Sequence, residues 1–158
     1  MKPFSIHDMP TEFVETFGKG AATKTLSALA GSKRLNVNLD VVPPGATSTK
    51  YHIHTAQEEF FFILSGSGVV RTPDGELPVS AGAFMAKPAG FENAHTFRNT
   101  GDAPLEILDI ATVEETDVAY YPDDDVYFLR GKNGGLTFSG ADRLTEWTSE
   151  PDAQGTDE

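Results

Sequence analysis

Residues 51 to 68 read YHIHTAQEEFFFILSGSG, setting two histidines one residue apart, following them with Glu58 and Glu59, and running into Phe, Ile and Leu before two glycines. On a strand, residues i and i+2 face the same side, so His52 and His54 project together while Tyr51 and Ile53 face away. Two imidazoles placed this way could chelate a divalent ion, and an ordinary strand could equally carry them. A third histidine, His95, stands four residues before Asn99 in GAFMAKPAGFENAHTFRN, on a separate segment of strand character. The chain has no cysteine, so disulfides and thiolate chemistry are excluded.

The elements that must position these residues read as short strands. RLNVNLDVV (34–42) alternates Leu35, Val37, Leu39 and Val41 with polar residues, the period of a strand buried on one face, and PPG (43–45) stops it. KYHIH (50–54), EFFFIL (59–64) and GVVRT (68–72) follow, with SGSG expected as a hairpin between the last two and PDGE (73–76) as a further turn. Beyond lie ELPVS, AFMAK, HTFRN, LEILDIA, VAYY, VYFLR and GLTFSG, punctuated by AG, PAG, NTGDAP and PDDD. Turn signals at this spacing, with no long helical period, predict an all-β sandwich or barrel. One short helical turn is expected near TEFVETF (11–17).

At 158 residues the chain fits a single domain, and its net charge of −12 repels nucleic-acid backbones and anionic lipid. No basic-led apolar segment opens it and no apolar run approaches the ~20 residues that span a bilayer, so a soluble, cytoplasmic protein is expected, with no nucleic-acid or membrane partner. The acidic stretch 148–158 is expected to be disordered.

The spacing resembles the two motifs of the cupin superfamily, G-x5-H-x-H-x3,4-E-x6-G and G-x5-P-x-G-x2-H-x3-N. The first is matched by Gly45, His52, His54, Glu59 and Gly66 with one extra residue before His52; the second is matched by Gly82, Pro88, Gly90, His95 and Asn99 with two extra before His95. The resemblance covers about residues 35–112 and implies a double-stranded β-helix, or jelly roll, over residues 35–147, with residues 1–34 as an N-terminal arm packed on it. It implies His52, His54, Glu59 and His95 as ligands of one divalent transition metal: Mn, Fe, Co, Ni or Zn. Four ligands on an octahedral ion would leave two adjacent positions for neighbouring oxygens of a hydroxy acid, keto acid or open-chain sugar.

Glu58 is the competing ligand, since a one-residue shift inverts the faces of the strand. With Glu59 inward, Phe61, Ile63 and Ser65 line the interior, and Phe60, Phe62 and Leu64 face outward, where either the terminal segments or a second subunit must cover them, a homodimer being the favoured expectation. Lys50, Phe61 and Asn93 are the candidate substrate-binding residues. Phe97 is expected in the core, Arg98 and His7 at the surface, and the acidic run Glu114–Asp125 as a solvated edge without the spacing of a calcium loop. The family hosts many chemistries, so function stays divided: Lewis-acid isomerisation or decarboxylation of a small oxygen-rich metabolite, oxygen activation if the ion is iron, or non-catalytic binding of a small molecule. No proton-transfer group beyond the four ligands is identifiable from strand parity alone.

Overall fold

The computed structural model describes residues 2–131, 134–144 and 146–149. Its strands are β1 (Val14–Phe17), β2 (Ala21–Thr25), β3 (Leu35–Val42), β4 (Ile53–His54), β5 (Glu59–Ser65), β6 (Ser67–Thr72), β7 (Gly75–Ser80), β8 (Phe84–Lys87), β9 (Thr96–Asn99), β10 (Leu105–Thr112), β11 (Asp117–Tyr121), β12 (Val126–Gly131) and β13 (Gly134–Ser139), with one short helix, α1 (Leu26–Ala30). A large antiparallel sheet runs β1-β2-β3-β10-β5-β8. Opposite it stand β7-β6-β9 and β13-β12-β11-β4. The bridges Thr47↔Arg98 and His52↔His95 join these two groups through the segment that carries the histidines. The result is a double-stranded β-helix, as the motifs imply.

Registers fix what the large sheet shows to the interior. One row across its inner face reads Thr23, Asp40, Ile107, Ile63; the next reads Thr25, Asn38, Asp109, Phe61, Met85; a third reads Asn36, Ala111, Glu59, Lys87. Val42, Ala46, Phe61, Ile63, Val70, Val79, Phe97, Leu105 and Ile107 close into the hydrophobic core. Burying an aliphatic or aromatic side chain in such a cluster contributes about 1.5–3 kcal/mol.

Several expectations change here. β5 and β6 do not form a hairpin: they belong to different sheets, and Gly66 between them, at φ +81°, turns the chain from one wall to the other. A Cβ at Gly66 would collide with the backbone of Pro104 and Leu105, which explains why the corner takes glycine. The alternation in β3 is present, but its polar side, Asn38 and Asp40, faces the interior, while the Leu39 side faces outward beneath the N-terminal segment, where α1 packs on β3. Residues 11–13 make a single 3-10 turn and the chain then continues as β1, so β1 and β2 extend the sheet itself. Ser65 leaves the interior at a register shift in β10 and donates to Glu106 (2.8 Å). Except for residues 148 and 149, the expected disordered tail lies outside the described residues.

Candidate metal centre

His52 and His54 are each held by a hydrogen bond at Nδ1. His52 Nδ1 donates to the Lys50 carbonyl (2.8 Å), and His54 Nδ1 donates to the Asp117 carboxylate (2.5 Å). A carbonyl can only accept, and so can an ionised carboxylate, so each ring carries a proton on Nδ1 and, with Nε2 deprotonated, presents a lone pair there. Those two Nε2 atoms lie 3.1 Å apart. Two lone pairs at that separation repel unless a cation lies between them. Burial, reinforced by the neighbouring His54, pushes the His52 pKa down to about 4, which disfavours a proton on His52 Nε2. The donor set therefore fits a metal ion.

Glu59 completes the cluster: ligand atoms of His52, His54 and Glu59 all lie within 4.8 Å of one another. Glu59 is buried and Glu58 is exposed, so the strand's faces fall as the Glu59 register requires. Glu59 Oε2 also lies 2.7 Å from Lys87 Nζ, its cross-strand neighbour, with angles short of a hydrogen bond. Lys87 is only 4% exposed. His95 pairs backbone to backbone with His52, its ring centroid 4.9 Å from that of His52 and 4.8 Å from that of Phe61. Its Nδ1 is buried without a hydrogen-bond partner, and desolvation, with the nearby His52, holds its pKa well below the usual imidazole value. Asp117 steadies the cluster from outside, accepting also from the Ala56 N–H (2.9 Å). Burial alone would raise the Asp117 pKa, but the bonds from His54 and Ala56 outweigh it and keep the group ionised.

A Cupin domain family profile matches residues 38–111. The crystal structure of a sugar phosphate isomerase from a cupin superfamily, from Silicibacter pomeroyi, superposes with a TM-score of 0.76 at 30% identity, covering 82% of this chain and 87% of that one. The chain belongs to the cupin superfamily. This cupin superposes equally well, with a TM-score of 0.76, on a protein from Acidithiobacillus ferrooxidans for which the same activity has been suggested, at 27% identity over 82% of each chain. It is also 34% identical over 67 residues to the oxalate-binding protein of Thermotoga maritima, a match spanning 42% of this chain and about half (53%) of that relative.

Two cavities in this cupin meet at Phe61 and His95. One, of about 250 Å³, is lined by Lys87, Glu92, Asn93 and Met85 among others. The second, of about 200 Å³, is lined by Asn38, Asp40, His52, Glu59 and Asp109. Phe61 and Asn93 thus stand on cavity walls, whereas Lys50 lines neither: its side chain is exposed and paired with Asp124 (2.8 Å). Phe97 is buried in the core, Arg98 faces out to Glu76, and His7 is exposed, as expected.

Four residues at or beside the site escaped the sequence reading. Asp40 sits on the polar face of β3, whose apolar face is the expected buried one, and Asp109 is a polar exception between Ile107 and Ala111 on the inward face of β10. Lys87 ends an otherwise apolar strand, and only its pairing opposite Glu59 reveals its role. Asp117 hid within an acidic run read as a solvated edge, although its alternation with buried Ala119 was a usable signal.

Proposed function

We propose that this cupin is a metal-dependent isomerase of open-chain sugar phosphates, with His52, His54, Glu59 and His95 holding one divalent ion. The observation that carries the metal is the facing pair of Nε2 lone pairs beside Glu59 in a buried cluster. The substrate class is supported by the activity named for the Silicibacter protein, which resembles this chain across most of both lengths. Bound there, the ion supplies Lewis-acid polarisation of a substrate carbonyl, a role that Mn, Fe, Co, Ni and Zn can each fill. The chain's own contribution is a dry wall from Phe61 and Met85 and a buried cation, Lys87, on the wall it shares with Asn93. Low dielectric around these groups strengthens their pull on substrate oxygens.

The same reading includes a homodimer. Phe60 and Leu64 of β5 face outward, with Phe84 stacked on Phe60 and Phe62 at centroid distances of 6.0 and 6.4 Å. Phe84 is 66% exposed, and Ile110, opposite Phe60, continues this face onto β10. An apolar sheet face of this kind is ordinarily covered by a partner.

Protein purified without added metal or chelator is expected to carry close to one equivalent of a divalent transition metal by elemental analysis. It is then expected to interconvert at least one aldose–ketose pair in a panel of pentose and hexose phosphates followed by NMR. His52→Ala and His95→Ala are expected to lose the metal while remaining folded, and Glu59→Gln to weaken it more than Glu58→Gln. A metal-replete protein that converts no sugar phosphate, but consumes oxygen with iron bound or binds oxalate unchanged, would overturn the isomerase reading.

A further inference from the structure

The inner face of the large sheet carries two carboxyl groups outside the proposed ligand set. Asp40 and Asp109 stand on neighbouring strands as diagonal neighbours, because Asp40 is opposite Ile107 and Asn38 is opposite Asp109. Asp109 is in turn diagonal to Glu59, since Phe61 is opposite Asp109 and Ala111 is opposite Glu59. Diagonal neighbours stand roughly 7–8 Å apart at the backbone, the span of one small substrate. Both carboxyls line the cavity that also takes in His52, Glu59 and His95.

Neither carboxyl has a cation as its hydrogen-bond partner. Asp40 Oδ1 accepts from the Thr23 hydroxyl (2.6 Å), Asp109 Oδ2 receives only a long contact from the Asn38 amide (3.5 Å), and Asp109 Oδ1 is buried with no partner. The charged or titratable groups sharing this interior with them are Glu59 from β5, Lys87 from β8, and the His52 and His95 rings. Burying under-satisfied carboxyls works against stability, so their presence on a cavity wall points to chemistry.

We propose that Asp40 and Asp109 are the proton-transfer pair of this site, Asp40 the base at carbon and Asp109 the acid at the adjacent oxygen; this rests on the isomerase reading. The Thr23 hydroxyl favours ionised Asp40, while the buried, unpartnered Oδ1 of Asp109 favours a protonated group. Desolvation, with the charges of Glu59 and Asp40, lifts the Asp109 pKa to about 8. Desolvation also lifts that of Asp40 to about 6 against the Thr23 bond, leaving Asp40 the more acidic of the two.

With an open-chain aldose phosphate, Asp40 takes the proton from the carbon beside the carbonyl, and the C–H electron pair becomes the C=C bond of an enediol. The carbonyl π pair moves to oxygen, which takes the Asp109 proton. Asp40 then returns its proton to the former carbonyl carbon while the neighbouring hydroxyl gives its proton to Asp109 and becomes the new carbonyl. The product is the ketose, both carboxyls end as they began, and no oxidant or co-reactant is consumed.

The test uses zinc-loaded full-length protein, wild type and the variants Asp40→Asn, Asp109→Asn and Asp40→Glu, in D2O with ribose 5-phosphate, ribulose 5-phosphate, glucose 6-phosphate and fructose 6-phosphate as probes. Wild type is expected to exchange the C–H beside the carbonyl. The two Asn variants are expected to lose that exchange by about 100-fold or more with zinc content and melting temperature retained, and Asp40→Glu to restore part of it. Carboxyl 13C spectra at neutral pH, assigned by the same variants, are expected to show Asp109 protonated and Asp40 ionised. Exchange by the Asn variants at the wild-type rate, or both carboxyls ionised, would overturn the pair while leaving the isomerase reading intact. Absence of exchange in wild type with all four probes would overturn that reading and the pair together.

Discussion

His54 owes its tautomer to Asp117. With Nδ1–H committed to an ionised carboxylate, Nε2 keeps its lone pair for the cluster, and the carboxylate also makes the ring a better donor to a cation. Asp117→Asn keeps the shape and an acceptor oxygen but removes the charge. Metal affinity is expected to fall about 10- to 100-fold, as read by competition with a chromophoric chelator, with little change in far-UV circular dichroism. An unchanged affinity would mean that the His54 ring is oriented by its packing alone. At this scale the histidines and Glu59 were legible because chelating residues at fixed strand spacing leave a pattern. Asp117 was not, because its partner is 63 positions away in the chain.

The strands position the site through register. Asn36, Ala111, Glu59 and Lys87 form one row across the large sheet, and its continuity depends on β5 leaving the sheet cleanly at Gly66. Gly66→Ala would place a methyl group against the Pro104 carbonyl in a left-handed backbone conformation. The variant is expected to lose at least about 2 kcal/mol in urea unfolding, with metal binding weakened as a consequence. A wild-type midpoint would show that the corner can relax. The glycine itself was visible as a motif position. Its work, turning the chain between sheets, was misread as a hairpin because a local turn signal does not say which strands pair across it.

For the molecule as a whole, the outer face of the large sheet sets Phe60, Leu64 and Phe84 toward solvent in a chain whose net charge is −12. Such charge keeps copies apart everywhere except where apolar area outweighs it. Phe84→Glu, at the most exposed of these three positions, is expected to convert a dimer in sedimentation equilibrium into a monomer that retains its metal. A wild-type monomer would remove the dimer from the proposed reading. No helix among the described residues is long and apolar enough to cross a membrane.

The sequence by itself determined the strand-rich fold class, the two motifs and the parity that sends Glu59 inward and Phe60 outward. Each of these is carried by residue type and local spacing, which the backbone period converts directly into direction. Only the tertiary structure decided which side of β3 and β10 lines the cavity. A strand with one apolar and one polar face reads identically whichever face turns inward, and here α1 packs on β3 while Asp40 turns to the site; in β10, Asp109 shares the inward face with Leu105, Ile107 and Ala111. The Lys87–Glu59 and His54–Asp117 pairs were decided the same way, by chain crossings that bring distant residues opposite one another and leave no local trace.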